Sequence, residues 1–179
     1  MRTLNVWETV LKSVATITLC LWIGGLVAIG AIVAPLTFHV FRSDPAFLGR
    51  IDLQNQLAAN IIGGSFRNFN RLCEVSGAIL TACLAGLTLR TEPRGGLQRK
   101  AGWSSVALSI LLTISALCLD FIVFPAMDAA RAAGGGTRAR VEFDRLHLLY
   151  VNLSNVQLIG LLIVVIGFSV MSSVREANR

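Results

Sequence analysis

The chain has 179 residues, 54% of them hydrophobic and only 15% charged, with a mean hydropathy of +0.68. A soluble domain carries about 25% charged residues, so this is the composition of a membrane protein, with length for one domain. The net charge of +6 does not signal nucleic acid. The basic residues sit between apolar runs, where helix ends meet lipid headgroups, and no basic patch is interleaved with aromatics.

Residues 1–13 read as a short amphipathic lead-in, with Trp7 as an interfacial anchor and Lys12 near the lipid boundary. The apolar run beyond is too long for the core of a cleaved signal peptide, and no small-residue cleavage site follows it. It is expected to span the membrane from about 14 to 39, because roughly 20 residues at 1.5 Å each cross a core of about 30 Å. Gly24 with Ala28, and Gly30 with Ala34, are small-x-x-x-small pairs beside Gly25. Such faces let another helix approach closely. Pro35 removes a helix hydrogen bond and is expected to kink the helix near Ile32–Ala34.

Asp44 before Pro45 has the form of a helix N-cap. Phe47, Leu48, Ile51 and Leu57 fit one helical face, with Asp52, Gln54, Asn55 and Gln56 on much of the rest. The expectation is an interfacial amphipathic helix over 45–61, ended by Gly63-Gly64. A second span is expected over 66–89, capped by Ser65. Arg67, Arg71, Glu74, Gly77, Thr81, Ala85 and Thr88 share one of its faces, which should point into the bundle. Residues 90–100 (RTEPRGGLQRK) read as a tight basic hairpin.

The third span is expected over 101–124, with Ser105, Ser109, Thr113, Ala116 and Asp120 as its inward stripe. Pro125 marks a kink or an end, and 129–137 (AARAAGGGT) a flexible loop. The fourth span covers about 145–172. His147, Tyr150, Ser154 and Gln157 lie on one broad face, Asn155 at its edge and Asn152 away from it. The fold class is therefore all-α: a four-helix transmembrane bundle with a short interfacial helix between the first and second spans. Cys20, Cys73, Cys83 and Cys118 all fall in apolar runs without a C-x-x-C, and read as small hydrophobes.

Four spans put both termini and the 90–100 hairpin on one side. Lys and Arg tie between the two sides, but the hairpin packs four cations beside the membrane, where the positive-inside rule is strongest. Both termini are expected in the cytoplasm. The same topology gathers His39, Glu74, Asp120 and His147 toward the opposite face, with Arg67, Arg71, Tyr150, Asn155 and Gln157 near them in depth. Ionisable residues at membrane depth are a functional hypothesis by default. The leading reading is structural: Arg71 pairs with Glu74, Asp120 pairs with Arg67, Arg71 or Arg145, and the amides join helices. A second is a metal or haem site on His39 and His147, with Asp120 or Met127 as further ligands, since imidazole suits copper, zinc and haem iron. A third is a proton or solute path through Glu74 and Asp120. No G-x-S-x-G, H-E-x-x-H or Walker motif is present, so no enzyme is expected, and the residues name no cofactor.

The stretches LWIGGLVAIGAIVAPLTF at 21–38, VFPAMDAAR at 123–131 and FDRLHLLYVNLSNVQLIGLL at 143–162 together resemble the bacterial membrane family called domain of unknown function 4149. That family is related to eukaryotic transmembrane protein 205. The matching positions are Trp22, Gly24, Gly25, Pro35, Phe38, Pro125, Arg131, Phe143 and His147. The resemblance implies a four-helix integral membrane protein and carries no assigned activity. The first helix also resembles the copper-resistance D family, whose members have twice the spans and a Met- or His-rich export motif that this chain lacks. The expected function is a non-enzymatic membrane module in a bacterial inner membrane. It stands alone or serves as a small accessory subunit, its partners being the lipid bilayer and a membrane protein or a second copy.

Overall fold

A computed structural model describes residues 6–47, 51–90, 96–133 and 136–173, and among these the chain is helical with no strand. Helix α1 (Val6–Val27) continues through a π-helical turn (Ala28–Val33) into α2 (Ala34–Ser43). A 3₁₀ turn at Pro45–Phe47 precedes α3 (Ile51–Arg90). Helix α4 (Gly96–Cys118) continues through a second π-helical turn (Leu119–Val123) into α5 (Phe124–Ala132), and α6 (Thr137–Ser173) closes the bundle. The result is four rods, each long and apolar enough to cross a membrane: Val6–Ser43, Leu57–Leu89, Gly96–Ala132 and Thr137–Ser172. The chain is a four-helix membrane bundle.

The two π-helical turns have one cause. Proline lacks an N–H, and its ring collides with the carbonyl four residues back. Pro35 and Pro125 each follow a widened turn. The residue before each proline donates five residues back, Ala34 N–H to Ile29 O and Phe124 N–H to Leu119 O. The extra residue absorbs the collision, so Pro125 ends nothing and both rods run on.

Neighbouring rods are antiparallel, and close glycine contacts fix their register. Gly25 leaves room for the Phe69 ring, and Gly77 for Thr113. A Cβ on Gly102 would stand 2.8 Å from Thr88 Oγ1, and one on Gly160 would stand 2.7 Å from Leu112 Cδ2. Gly167 gives way to Ser105 in the same fashion. Thr81 and Ser109 share a hydrogen bond of 2.8 Å between α3 and α4. Trp22, Leu80, Leu84, Leu161 and Val164 are fully buried between these contacts. Ile110, Leu111, Ile163 and Ile166 point outward, as lipid-facing side chains must.

Several expectations are corrected. Among the described residues no separate interfacial helix is seen, because α3 runs unbroken through Gly63 and Gly64. Glycine costs only about 1 kcal/mol in a helix interior, and the buried face of α3 (Gln54, Ala58, Ile62, Phe69) crosses both positions. Asp44 does cap, its Oδ1 accepting from Ala46 N–H at 2.9 Å, but it starts a single 3₁₀ turn. Ser65 caps nothing; its hydroxyl donates to Ile61 O inside α3. Among the small-residue positions, Gly25 and Gly77 make close approaches, whereas nothing lies within 4 Å of a Cβ built on Gly24 or Gly30. Of the expected hairpin, 91–95 lie outside the described residues and Gly96–Lys100 is already helix. Helix α5 takes residues 129–132 of the expected loop.

Candidate functional site

Helix α1 packs against both α3 and α6, but α2 packs on α3. Beyond the first π-helical turn a groove therefore opens between the first and last rods, with a cavity volume of about 470 Å³. Ligand sites run from about 300 to 1,000 Å³. One wall is the small-residue stretch Ile29, Gly30, Ala31 and Ala34, with Phe38 beyond it. The other is the α6 face of His147, Tyr150, Val151, Ser154 and Asn155. Phe66, Phe69, Phe124 and Met127 form the floor. Phe66 and Phe124 meet the Tyr150 ring edge-on, at 5.2 and 6.5 Å between centroids. The lining is mostly apolar and partly open.

Polar groups are held beneath and beside this groove. The Tyr150 hydroxyl donates to Asn70 Oδ1 at 2.9 Å, and both side chains are buried. Asn70 Nδ2 has no partner among the described residues. Gln157, also buried, donates from Nε2 to Ser115 Oγ at 3.2 Å, joining α6 to α4.

The rim is charged. Arg67 of α3 meets Asp128 of α5 at 2.6 Å, and Arg131 reaches the other oxygen of the same carboxylate at 3.5 Å. The Arg67 guanidinium lies 5.1 Å from the centre of the Phe124 ring, and that of Arg131 lies 5.3 Å from the centre of Phe143. Phe143 in turn stacks on His147, with centroids 6.0 Å apart and rings 6° from parallel. Two cations thus share one anion next to the lining residue Phe124.

A second cluster lies across α3 and the second π-helical turn. Asp120, carried by that turn, and Arg71 both lie within electrostatic range of Glu74. Glu74 Oε1 is buried and has no hydrogen-bond partner among the described residues.

The expected site is thus divided. Tyr150 and His147 line the groove, Gln157 lies in the bundle interior, and Glu74 and Asp120 meet each other. Arg67 pairs with Asp128 rather than Asp120. Arg67 and Arg71 are exposed, while Phe69, Asn70, Cys73 and Ser76 hold the buried face of α3. His39 is exposed and does not line the cavity that His147 lines. No group of three or more His, Cys, Asp or Glu side chains placed to hold a metal occurs among the described residues. The sequence reading missed Asp128, Asn70, Ser115 and the Phe66–Phe124 floor. Asp128 did carry a local signal, standing three residues before Arg131 on one helix.

These features define a four-helix membrane protein with an apolar groove and a cationic rim. The chain belongs to the family described as Domain of unknown function (DUF4149), whose model matches residues 17–135. The match takes in the small-residue wall, Arg67, Asp128 and Arg131, and stops short of α6. No curated protein and no solved structure matches the chain.

Proposed function

We propose that the protein is a non-enzymatic membrane module whose working surface is the groove between the first and last rods. It takes up an apolar or amphipathic molecule from the bilayer. The observation that carries this reading is the cavity of about 470 Å³, apolar along Ile29–Ala34 and edged by His147, Ser154 and Asn155. The module stands alone or packs as a small accessory subunit on a larger membrane partner. Both termini lie in the cytoplasm of a bacterial cell, an orientation supported by the clustering of Arg90, Arg94, Arg99 and Lys100 within residues 90–100 of the sequence.

Gly24 and Gly30 supply a matched test. Neither has an atom within 4 Å of a built Cβ, and only Gly30 lines the cavity. Gly30→Phe puts a ring into the groove from a position where a Cβ meets no other atom, and Gly24→Phe adds the same ring elsewhere. Lipid or other small molecules retained through gentle purification are counted by native mass spectrometry. Loss in Gly30→Phe alone supports the reading; equal retention in both variants contradicts it.

One observation favours a second reading, proton-coupled transport through Glu74 and Asp120. Two neighbouring carboxylates repel each other when both are ionised, and these two lie within electrostatic range of each other. In that case Glu74→Gln or Asp120→Asn abolishes flux in vesicles while the fold survives. Unchanged flux in both variants rejects it.

A further inference from the structure

We propose that the groove holds one acyl chain of an anionic phospholipid, with the headgroup phosphate seated on Arg67 and Arg131. The inference rests on the groove reading above and names its ligand.

Charge complementarity selects the occupant. Asp128 neutralises one of the two guanidiniums that contact it, at 2.6 and 3.5 Å, so the cluster keeps one positive charge in excess. Neither guanidinium lines the cavity, but each is joined to its lining: Arg67 lies over the lining residue Phe124, and Arg131 over Phe143, which stacks on the lining residue His147. Their side chains remain half to a third exposed, at 49% and 31%, so donors stay available to a phosphate. Guanidinium is the cation best matched to phosphate oxygens. A guanidinium pair next to an apolar slot offers an anionic lipid a contact for its phosphate and another for its acyl chain. A partner helix would fill the slot but leave the excess cation without an anion.

The apolar slot and the charged rim are separable by mutation. Arg67→Gln leaves Arg131 to neutralise Asp128 and removes the excess charge. Asp128→Asn does the opposite and doubles it. Gly30→Phe blocks the slot and leaves the charges alone. The full-length protein in phosphatidylcholine vesicles is titrated with spin-labelled phosphatidylglycerol or spin-labelled phosphatidylcholine, and the immobilised fraction is read by electron paramagnetic resonance.

The expected result is that phosphatidylglycerol is held about fivefold better than phosphatidylcholine, the factor appropriate to one cation near the surface. Arg67→Gln erases the preference and keeps the phosphatidylcholine signal, and Asp128→Asn increases the preference. A merely structural Asp128 would not raise it. Equal binding of the two lipids by the wild-type protein, both lost in Gly30→Phe, overturns the headgroup proposal and leaves the groove reading standing. Binding unaffected by Gly30→Phe overturns both. A preference that survives Arg67→Gln and does not rise in Asp128→Asn also overturns the proposal.

Discussion

The Tyr150 hydroxyl donates to Asn70 Oδ1 at 2.9 Å, joining residues 80 positions apart in the chain. This bond ties α6 to α3 directly beneath the groove, and Asn70 Nδ2 has no further partner among the described residues. Tyr150→Phe removes the donor, keeps the ring, and leaves a buried acceptor unsatisfied. The expected cost is about 1–3 kcal/mol, read as a shift in dodecyl-sulfate unfolding followed by circular dichroism. A change of only a few tenths would mean that Asn70 finds another donor.

Glycine has two meanings in this bundle. Gly77 sits against Thr113 with no room for a Cβ, whereas nothing stands near Gly24. Gly77→Val is expected to cost about 1–3 kcal/mol through overpacking. Gly24→Ala stays within about 0.5 kcal/mol of wild type. Thermal unfolding of both variants in the same detergent separates the two positions, and equal melting temperatures would contradict the register.

Asp120 owes its position to the π-helical turn that Pro125 imposes. A double-mutant cycle on Glu74→Gln and Asp120→Asn is therefore expected to give a coupling energy of about 0.5–3 kcal/mol. Repeated in a Pro125→Ala background, where a regular helix can form, the coupling should fall. Coupling that is zero in the wild type would mean the two carboxyls do not act on each other.

The Arg67–Asp128 pair should matter little to stability despite its short distance. Its side chains are 49% and 37% exposed, and exposed pairs contribute about 0–1 kcal/mol after screening. Arg67→Gln is expected to melt within a few degrees of wild type, with any difference shrinking as salt is added. A large loss would move the pair from the rim into the folding core.

Much of the architecture was legible in the sequence because the bilayer imposes it. Four apolar runs had to become four helices. The stripe Ser105, Ser109, Thr113, Ala116 and Asp120 faced inward as its spacing required, and so did Tyr150 and Gln157. What was not legible depended on competition between local signals and packing. Gly63-Gly64 looked like a stop, but the burial of Ala58, Ile62 and Phe69 on one continuous face outweighed two glycines. Proline marked the right places in the first and third rods, yet the widened turns keep both rods continuous. Arg67 had several acidic candidates within reach in depth. Only the rotation of α3 against α5 brings it to Asp128, and no spacing in the sequence encodes that rotation. The groove was invisible for the same reason: it exists where α2 parts from α6, between segments more than 100 residues apart.

On the proposed function, a bilayer molecule occupies this groove in preference to the rest of the apolar surface. The most direct measurement is photo-crosslinking in vesicles with a phosphatidylglycerol that carries a diazirine along its acyl chain, with labelled residues mapped by mass spectrometry. Labels are expected to concentrate on the lining residues Ala31, Phe38, Phe66 and Leu158 and to be lost in Gly30→Phe. Labels spread evenly over the outward faces, at Ile110, Leu111 and Ile163 as often as in the groove, would contradict it.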